Sequence, residues 1–410
     1  MTPEREPPAA RRDPAHSLRF VDSWASVLLD LLRAIAALLV VLEHWRNIFF
    51  VDFPPSTDRP FLWALPYALT GAGHQAVVVF FLLSGFLVGG TVLRTVESGR
   101  WDWRSYLLRR STRLWIVLLP ALLLCFFWDS LGLHLGVAPA LYHGGVNNHV
   151  VDDISRLLSP RLLLANLFFL QGTYTQPFGS DGALWSLAYE FWYYILFPLG
   201  LITFVASAAR RHRLICLALF AATAWFVGSR ILLYFPIWLA GVLLLRIPSP
   251  RLSPAAAQLA RIIAAAIYVP IFFFLAKNHR LSSVVSDYVL TIFTFLLLWI
   301  LLTATGRHPI HSASVRSTRE LARFSYTLYA VHTPLLIFLA SLLVHDARWQ
   351  PTPAHLLIAI AVLLTTIAYS FVIATLTEFR TDALRTRIER LFGFQVAPPA
   401  LPSDPTADPS

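Results

Sequence analysis

Apolar residues fall into long uninterrupted runs along this chain, separated by short polar breaks rich in arginine. The runs lie at about 25–49, 74–93, 114–133, 184–206, 214–229, 231–246, 261–276, 285–304, 324–344 and 354–377. A helix rising about 1.5 Å per residue needs roughly 20 apolar residues to cross a hydrocarbon core of about 30 Å. The pattern therefore predicts an all-α, polytopic membrane bundle of about ten transmembrane helices. Two further runs, 61–70 and 162–170, are too short to span and read as interfacial or re-entrant pieces. The first run is too long and too polar inside to be a cleaved signal peptide. Arg11-Arg12 resembles a twin-arginine signal only superficially, because no cleavable apolar region follows promptly.

Composition agrees with this reading, at 57% apolar and 14% charged residues. The net charge of +10 raises the question of nucleic acid, and its distribution answers it. If the N-terminus is cytoplasmic, 24 of the 33 basic residues fall on the inner side, eight fall outside, and Arg33 lies within a span. That bias is the positive-inside signature, and flipping the chain reverses it. Both termini are thus expected in the cytoplasm, with no nucleic-acid partner. The division that follows is a disordered cytoplasmic tail over 1–20 and a membrane domain over 21–380, with an outer loop at about 134–183. A cytoplasmic tail over 381–410, disordered at its Pro- and Asp-rich end, completes the chain. Cys125 and Cys216 both fall in apolar runs, so no disulfide framework is implied.

Four spans carry polar groups that a lipid-facing helix would avoid. The first holds Asp30, Arg33, Glu43 and His44, and the second His74 and Ser84-Gly85. The fourth holds Trp185, Ser186 and Glu190; the ninth holds Ser325, Tyr326, Tyr329 and His332. Ionisable groups inside a span are costly and face the bundle interior, which makes them functional candidates. Arg33 and His44 are eleven residues apart, which returns them to one helix face about 16 Å from one another. Counting from the ends of the apolar runs, His44 and Glu190 both sit about 9 Å below the outer surface. Arg33, Ser84 and His332 sit about 12–14 Å above the inner one. This predicts an outer His/Glu pair and an inner Arg/Ser/His group. A histidine with a carboxylate partner suits general-base work, since the carboxylate fixes the tautomer and stabilises the imidazolium. The competing reading is a structural hydrogen bond or ion pair between helices. Glu43 points about 100° away from His44, so Glu190 is the expected partner.

"RRSTRLW" sets Arg110 and Arg113 one turn apart at the mouth of the third span, a spacing able to grip a phosphate, although plain topology signal accounts for it as well. His143, His149, Asp152 and Asp153 match no closed zinc pattern and read as a solvated loop; no metal site is expected.

Taken together, these segments resemble the acyltransferase-3 family of integral membrane O-acyltransferases, which modify bacterial surface polysaccharides and some small molecules. The segments are "LDLLRAIAALLVVLEH", "FFLLSGFL", "RRSTRLWIVLLP", "LWSLAYEFWYYILFPL", "RILLYFPIWLAGVLL" and "FSYTLYAVHTPLL", and they run in the family's order from about residue 22 to 380. The resemblance implies a catalytic role for His44, with Arg33 its partner on the acyl path and Glu190 in the acceptor-side site. It places Ser84 and Gly85 beside them and makes Arg110 and Arg113 contacts to the phosphates of acyl-CoA. Trp185, Ser186, Tyr326 and His332 are the further residues expected to line the substrate site. Two departures stand out: Glu43 before His44, and a single Glu190 where many members carry two adjacent acids.

The expected activity is transfer of an acyl group, most simply acetyl, from cytoplasmic acyl-CoA to a hydroxyl of a surface polysaccharide or other glycan. The setting is the bacterial inner membrane, as a multi-pass protein, with membrane lipid around it and no permanently bound cofactor. His44 would either deprotonate the acceptor or carry the acyl group itself. The rival is a secondary transporter or lipid flippase using the same buried residues as a substrate or proton path. It would require an inverted repeat that the sequence does not show.

Overall fold

The computed structural model describes residues 23–53, 60–146, 148–150, 152–204, 209–277, 281–304 and 313–391. The tails expected over 1–20 and beyond 391 lie outside them. Each long apolar run becomes a helix: α1 (Trp24–Phe49), α3 (Gly73–Glu97), α4 (Trp103–Leu135), α6 (Trp185–Phe204), α7 (Arg210–Leu243), α8 (Pro254–Lys277), α9 (Ser283–Leu301), α10 (Ala313–Leu343) and α11 (Pro353–Leu376). The short runs give α2 (Pro60–Leu69) and α5 (Pro160–Leu167), and α12 (Thr381–Leu391) closes the chain. Among the described residues there is no named strand, and nine helices are long and apolar enough to cross a membrane.

The ten apolar runs and the nine helices are reconciled by α7. Gly228 takes φ 74°, ψ 176° inside it, a backbone conformation that glycine adopts without a Cβ clash. On one side of this break Arg213 donates to the Thr203 carbonyl at the end of α6, and Phe226 packs on Trp192 further back. On the other side Tyr234 meets Tyr189, Trp238 meets Phe197, and Arg246 just past the helix pairs with Glu97 at the end of α3. The first arm thus runs antiparallel to α6 and the second parallel to it. Helix α7 folds back at Gly228.

Two helices begin eleven residues earlier than their apolar runs. Asp102 caps α4 by accepting from the amides of Arg104 and Ser105 at 3.3 and 2.8 Å, so Arg104 to Arg113 lie on helix, not in a loop. Helix α10 likewise begins at Ala313, carrying Arg316, Arg319 and Arg323 on helical turns. Hydropathy marks where lipid begins; the helix itself continues into water.

The core runs between α1, α3, α4, α6, the second arm of α7 and α10. The outward faces keep large apolar side chains uncovered, among them Leu123, Trp225, Ile262, Ile292 and Leu357. That belt is the surface that lipid would cover.

Candidate active site

A cavity of about 400 Å³ lies between α1, α3, α4, α6 and α10. It gathers seven of the eleven residues expected to form the catalytic and substrate site, Arg33, Ser84, Arg110, Arg113, Ser186, Glu190 and Tyr326; His44 and His332 are not on its lining. Arg33 lies 3.6 Å from Asp30, one turn earlier on α1. The Arg110 guanidinium stands over the rings of Tyr106 and Tyr194, 5.7 and 5.5 Å from their centroids. Arg113 is on the same wall one turn further, so two cations point into one mouth.

Glu190 is held by a chain of donors. Trp238 Nε1 donates to Ser84 Oγ at 3.2 Å, and the Ser84 hydroxyl donates to Glu190 Oε1 at 2.7 Å. Tyr194, one turn along α6, donates to the same oxygen. The carboxylate is therefore fixed across three helices, and its fixed partners do not include His44. Ser186 shares a 2.6 Å hydrogen bond with Tyr329, whose hydroxyl also reaches the Ala183 carbonyl at 2.7 Å. Tyr326 donates to the Leu114 carbonyl at 3.1 Å.

His44 pairs with His332 instead of Glu190. Its Nδ1 lies 2.9 Å from His332 Nε2, with the rings 5.0 Å apart and nearly parallel. Nδ1 of His332 lies 2.9 Å from the Leu328 carbonyl, which can only accept, so that nitrogen carries the proton. In the neutral ring Nε2 of His332 is then a bare acceptor and His44 Nδ1 must donate to it. A proton on both rings would place two cations side by side in a dry interior. The consequence is a His44 whose Nε2 presents its lone pair. Thr333 Oγ1, 3.2 Å from His332 Nε2, completes the cluster.

The two predicted polar layers are thus exchanged in membership. His332 was counted from residue 324 and placed near Arg33. It lies 19 residues along α10 from Ala313, as His44 lies 20 along α1 from Trp24, which brings the two rings to one level. Ser84, counted with the inner group, meets Glu190. Tyr329 stands between the two clusters, on the cavity wall and 6.3 Å from the His332 ring.

Three further residues sit differently from expectation. Gly85 does not line the cavity: a Cβ there would overlap the backbone carbonyl of Trp238, and one at Gly241 would overlap that of Leu82. Its role is the close crossing of α3 and α7. Trp185 packs between His74, Phe81 and Tyr189, outside the cavity. Glu43 accepts from the His74 amide at 3.1 Å at the start of α3, one face away from His44. His143 bonds Ser155, His149 bonds Asp52, and no group of three metal-ligating side chains occurs among the described residues. At that end of the bundle a side-chain hydrogen bond from Arg348 holds the Asp52 carboxyl below its ordinary range.

The order of these elements along the chain can be set against known proteins. An acyltransferase-domain model, that of the acyltransferase-3 family, matches residues 27–375. The chain belongs to this family. No curated protein and no solved structure matches it. This acyltransferase-3 protein is a multi-pass membrane acyltransferase, and the match takes in every element that builds the cavity and the histidine pair. The sequence left Tyr194 and Thr333 without a role in the site. Tyr194 was within reach, since it stands four residues after Glu190 and shares its helix face.

Proposed function

We propose that this protein is an O-acyltransferase that takes an acyl group, most simply acetyl, from cytoplasmic acyl-CoA and delivers it to a hydroxyl of a surface glycan. The observation that carries this reading is the directed hydrogen-bond chain Leu328, His332, His44, which leaves His44 Nε2 as a free lone pair inside the bundle. A free imidazole nitrogen can remove the acceptor's proton or attack a thioester, and the membrane interior keeps competing water away.

Arg110 and Arg113 would receive the phosphates of CoA at the cytoplasmic mouth, which agrees with the inward bias of the arginines and with both termini lying inside. The acyl arm would pass Arg33, which would steady charge developing on the thioester oxygen. In the direct route, Nε2 of His44 takes the hydroxyl proton and the alkoxide attacks the carbonyl carbon. The C–S bond then breaks, and the departing thiolate receives the proton from the imidazolium. In the relayed route, Nε2 itself attacks the carbonyl carbon and the C–S bond breaks to release the thiolate; the acceptor hydroxyl then attacks the acyl-imidazolium, the acyl–N bond breaks, and the hydroxyl proton passes to the thiolate. Glu190, locked between Ser84 and Tyr194, would serve as a fixed wall of the acyl path. The bacterial inner membrane is the setting this topology fits.

The test is CoA release from acetyl-CoA by protein reconstituted in vesicles. Wild type should release CoA, and His44→Ala at equal folding should fall to background. Absence of acyl-CoA binding and turnover by wild type, at any chain length, would refute the transferase reading and return the buried charges to a transport path.

A further inference from the structure

A second cavity, of about 650 Å³, opens at the end of the bundle opposite Arg110 and Arg113, between the end of α1, the α2–α3 turn and the end of α8. Two cations converge in it. A Cβ built on Gly71 would collide with Lys277 Nζ and lie 2.8 Å from Arg46 Nη1. The two nitrogens are therefore within about 5 Å of one another, close enough for like charges to repel. Only a residue without a side chain leaves that space open.

Neither cation has a carboxylate within 4.0 Å among the described residues. Arg46 spends its donors on neutral oxygens, the Tyr67 carbonyl at 3.1 Å and the side chain of Asn47. Lys277 is exposed and makes no hydrogen bond among them. Glu43 and Asp52 line the same cavity, each engaged with another donor. Asp52 is bonded to Arg348 at 3.1 Å and His149 at 3.2 Å, and Glu43 accepts the His74 amide, offsetting part of the charge without pairing with either cation. Two positive groups brought together with neither acid of the cavity paired to them, in a roomy cavity with Tyr67 and Phe53 on its wall, form a receptor for an oxyanion.

We infer that this cavity binds a carboxylate or phosphate carried by the acceptor, so that the acceptor is an acidic glycan and not a neutral one. The inference rests on the transferase reading for the word acceptor; the anion site stands without it. Arg46 follows His44 by two residues on α1, so the anion would be held about 3 Å further along the axis than the reacting histidine and about 200° around the helix from it. The acidic group would give the acceptor its register, and the hydroxyl to be acylated would be chosen by its distance from that group.

The experiment is direct binding to the full chain in nanodiscs of zwitterionic lipid. The probes are a glucuronic acid trisaccharide, the neutral glucose trisaccharide and glycerol phosphate. Wild type should bind the uronate at least about tenfold more tightly than the neutral sugar, with affinity falling as salt rises. Lys277→Gln should lose that preference, and the charge-keeping Lys277→Arg should retain most of it. Glycerol phosphate binding as tightly as the uronate, and masked by phosphatidylglycerol in the disc, would support the oxyanion site and give its source as a phosphate. Equal binding of uronate and neutral sugar, or a Lys277→Gln protein indistinguishable from wild type, would overturn it. His44→Ala should bind the uronate normally. Anion binding that persists where no CoA is ever released would sink the transferase reading alone.

Discussion

Nδ1 of His44 and Nε2 of His332 face one another at 2.9 Å, and the direction of the proton between them is fixed from the far side by the Leu328 carbonyl. His332 therefore acts as a positioning residue. It sets which nitrogen of His44 is free, and neither ring is on the lining of the cavity. Replacing it with alanine should lower kcat for CoA release by about 10²- to 10⁴-fold, the usual range for a general base or its support, and leave KM for acetyl-CoA near its wild-type value. His332→Gln, whose amide oxygen can still accept from His44 Nδ1, should recover part of the rate. Steady-state kinetics of the three proteins checks this, and equal loss in both variants would reduce His332 to packing.

The two routes through His44 part company when no acceptor is present. In the relayed route, radiolabelled acetyl-CoA should leave a label on the chain at neutral pH that acid or hydroxylamine readily removes and that is absent in His44→Ala. In the direct route wild type stays unlabelled while still turning over with acceptor. Rapid quench at neutral pH, with and without hydroxylamine, distinguishes them.

Arg110 and Arg113 share one mouth and one expected ligand. Arg110→Ala and Arg113→Ala should each raise KM for acetyl-CoA about tenfold, equivalent to roughly 1.4 kcal/mol, and kcat should change much less. Arg110→Lys should not rescue, because a compact ammonium loses both the forked donor and the stacking over Tyr106 and Tyr194. Initial-rate measurements over a range of acetyl-CoA and salt concentrations test both statements.

Ser84 links Trp238 to Glu190, so its loss has a cost apart from chemistry. Ser84→Ala would leave the Trp238 indole N–H without an acceptor and remove one of two donors from the carboxylate. A destabilisation of about 1–3 kcal/mol is expected, as for an orphaned buried polar group. Thermal unfolding in detergent would show it, and Ser84→Cys should fall between.

Asp52 offers a pH signature at the opposite end of the bundle. The hydrogen bond from Arg348 lowers its carboxyl pKa below the model-compound value of 3.8. A lowered acid stabilises the fold above its unfolded pKa and loses that contribution as pH falls through the folded one. Asp52→Asn should thus melt slightly earlier than wild type at pH 7, and the two curves should converge below about pH 4. The group is well exposed, so the shift should be small and should shrink further in high salt.

Much of this architecture is legible in the chain, and the misses share one cause. The apolar runs locate the helices because lipid demands unbroken apolar stretches, and the Arg33 to His44 spacing places both on one face. Even the fold-back at Gly228 is present, as two short runs parted at Arg230 with that glycine near the end of the first. Hydropathy cannot see helix that continues beyond lipid, and there the reading fails. The apolar runs begin at 114 and 324, so the arginine-bearing turns at 103–113 and 313–323 carry no helical signal in them. Counting His332 from residue 324 then put it with the wrong partners. Pairing across helices depends on such offsets of one or two turns, so Glu190 and His332 changed places although each had been singled out. Gly85 was misplaced for another reason: in sequence a glycine next to a reactive segment looks the same whether it admits a ligand or another backbone.

That glycine sets how the protein can move. At Gly85 and Gly241 two main chains touch with no side chain between them. Rotamer changes, the cheapest way for a wall to yield, are unavailable there. The α3 wall of the cavity, with α7 fixed behind it, is then its stator, and any widening falls to the opposing side, α4 and α10. Spin labels across Gly85 and Gly241's helices should hold one distance with and without acyl-CoA, while a pair bridging α4 and α10 should shift.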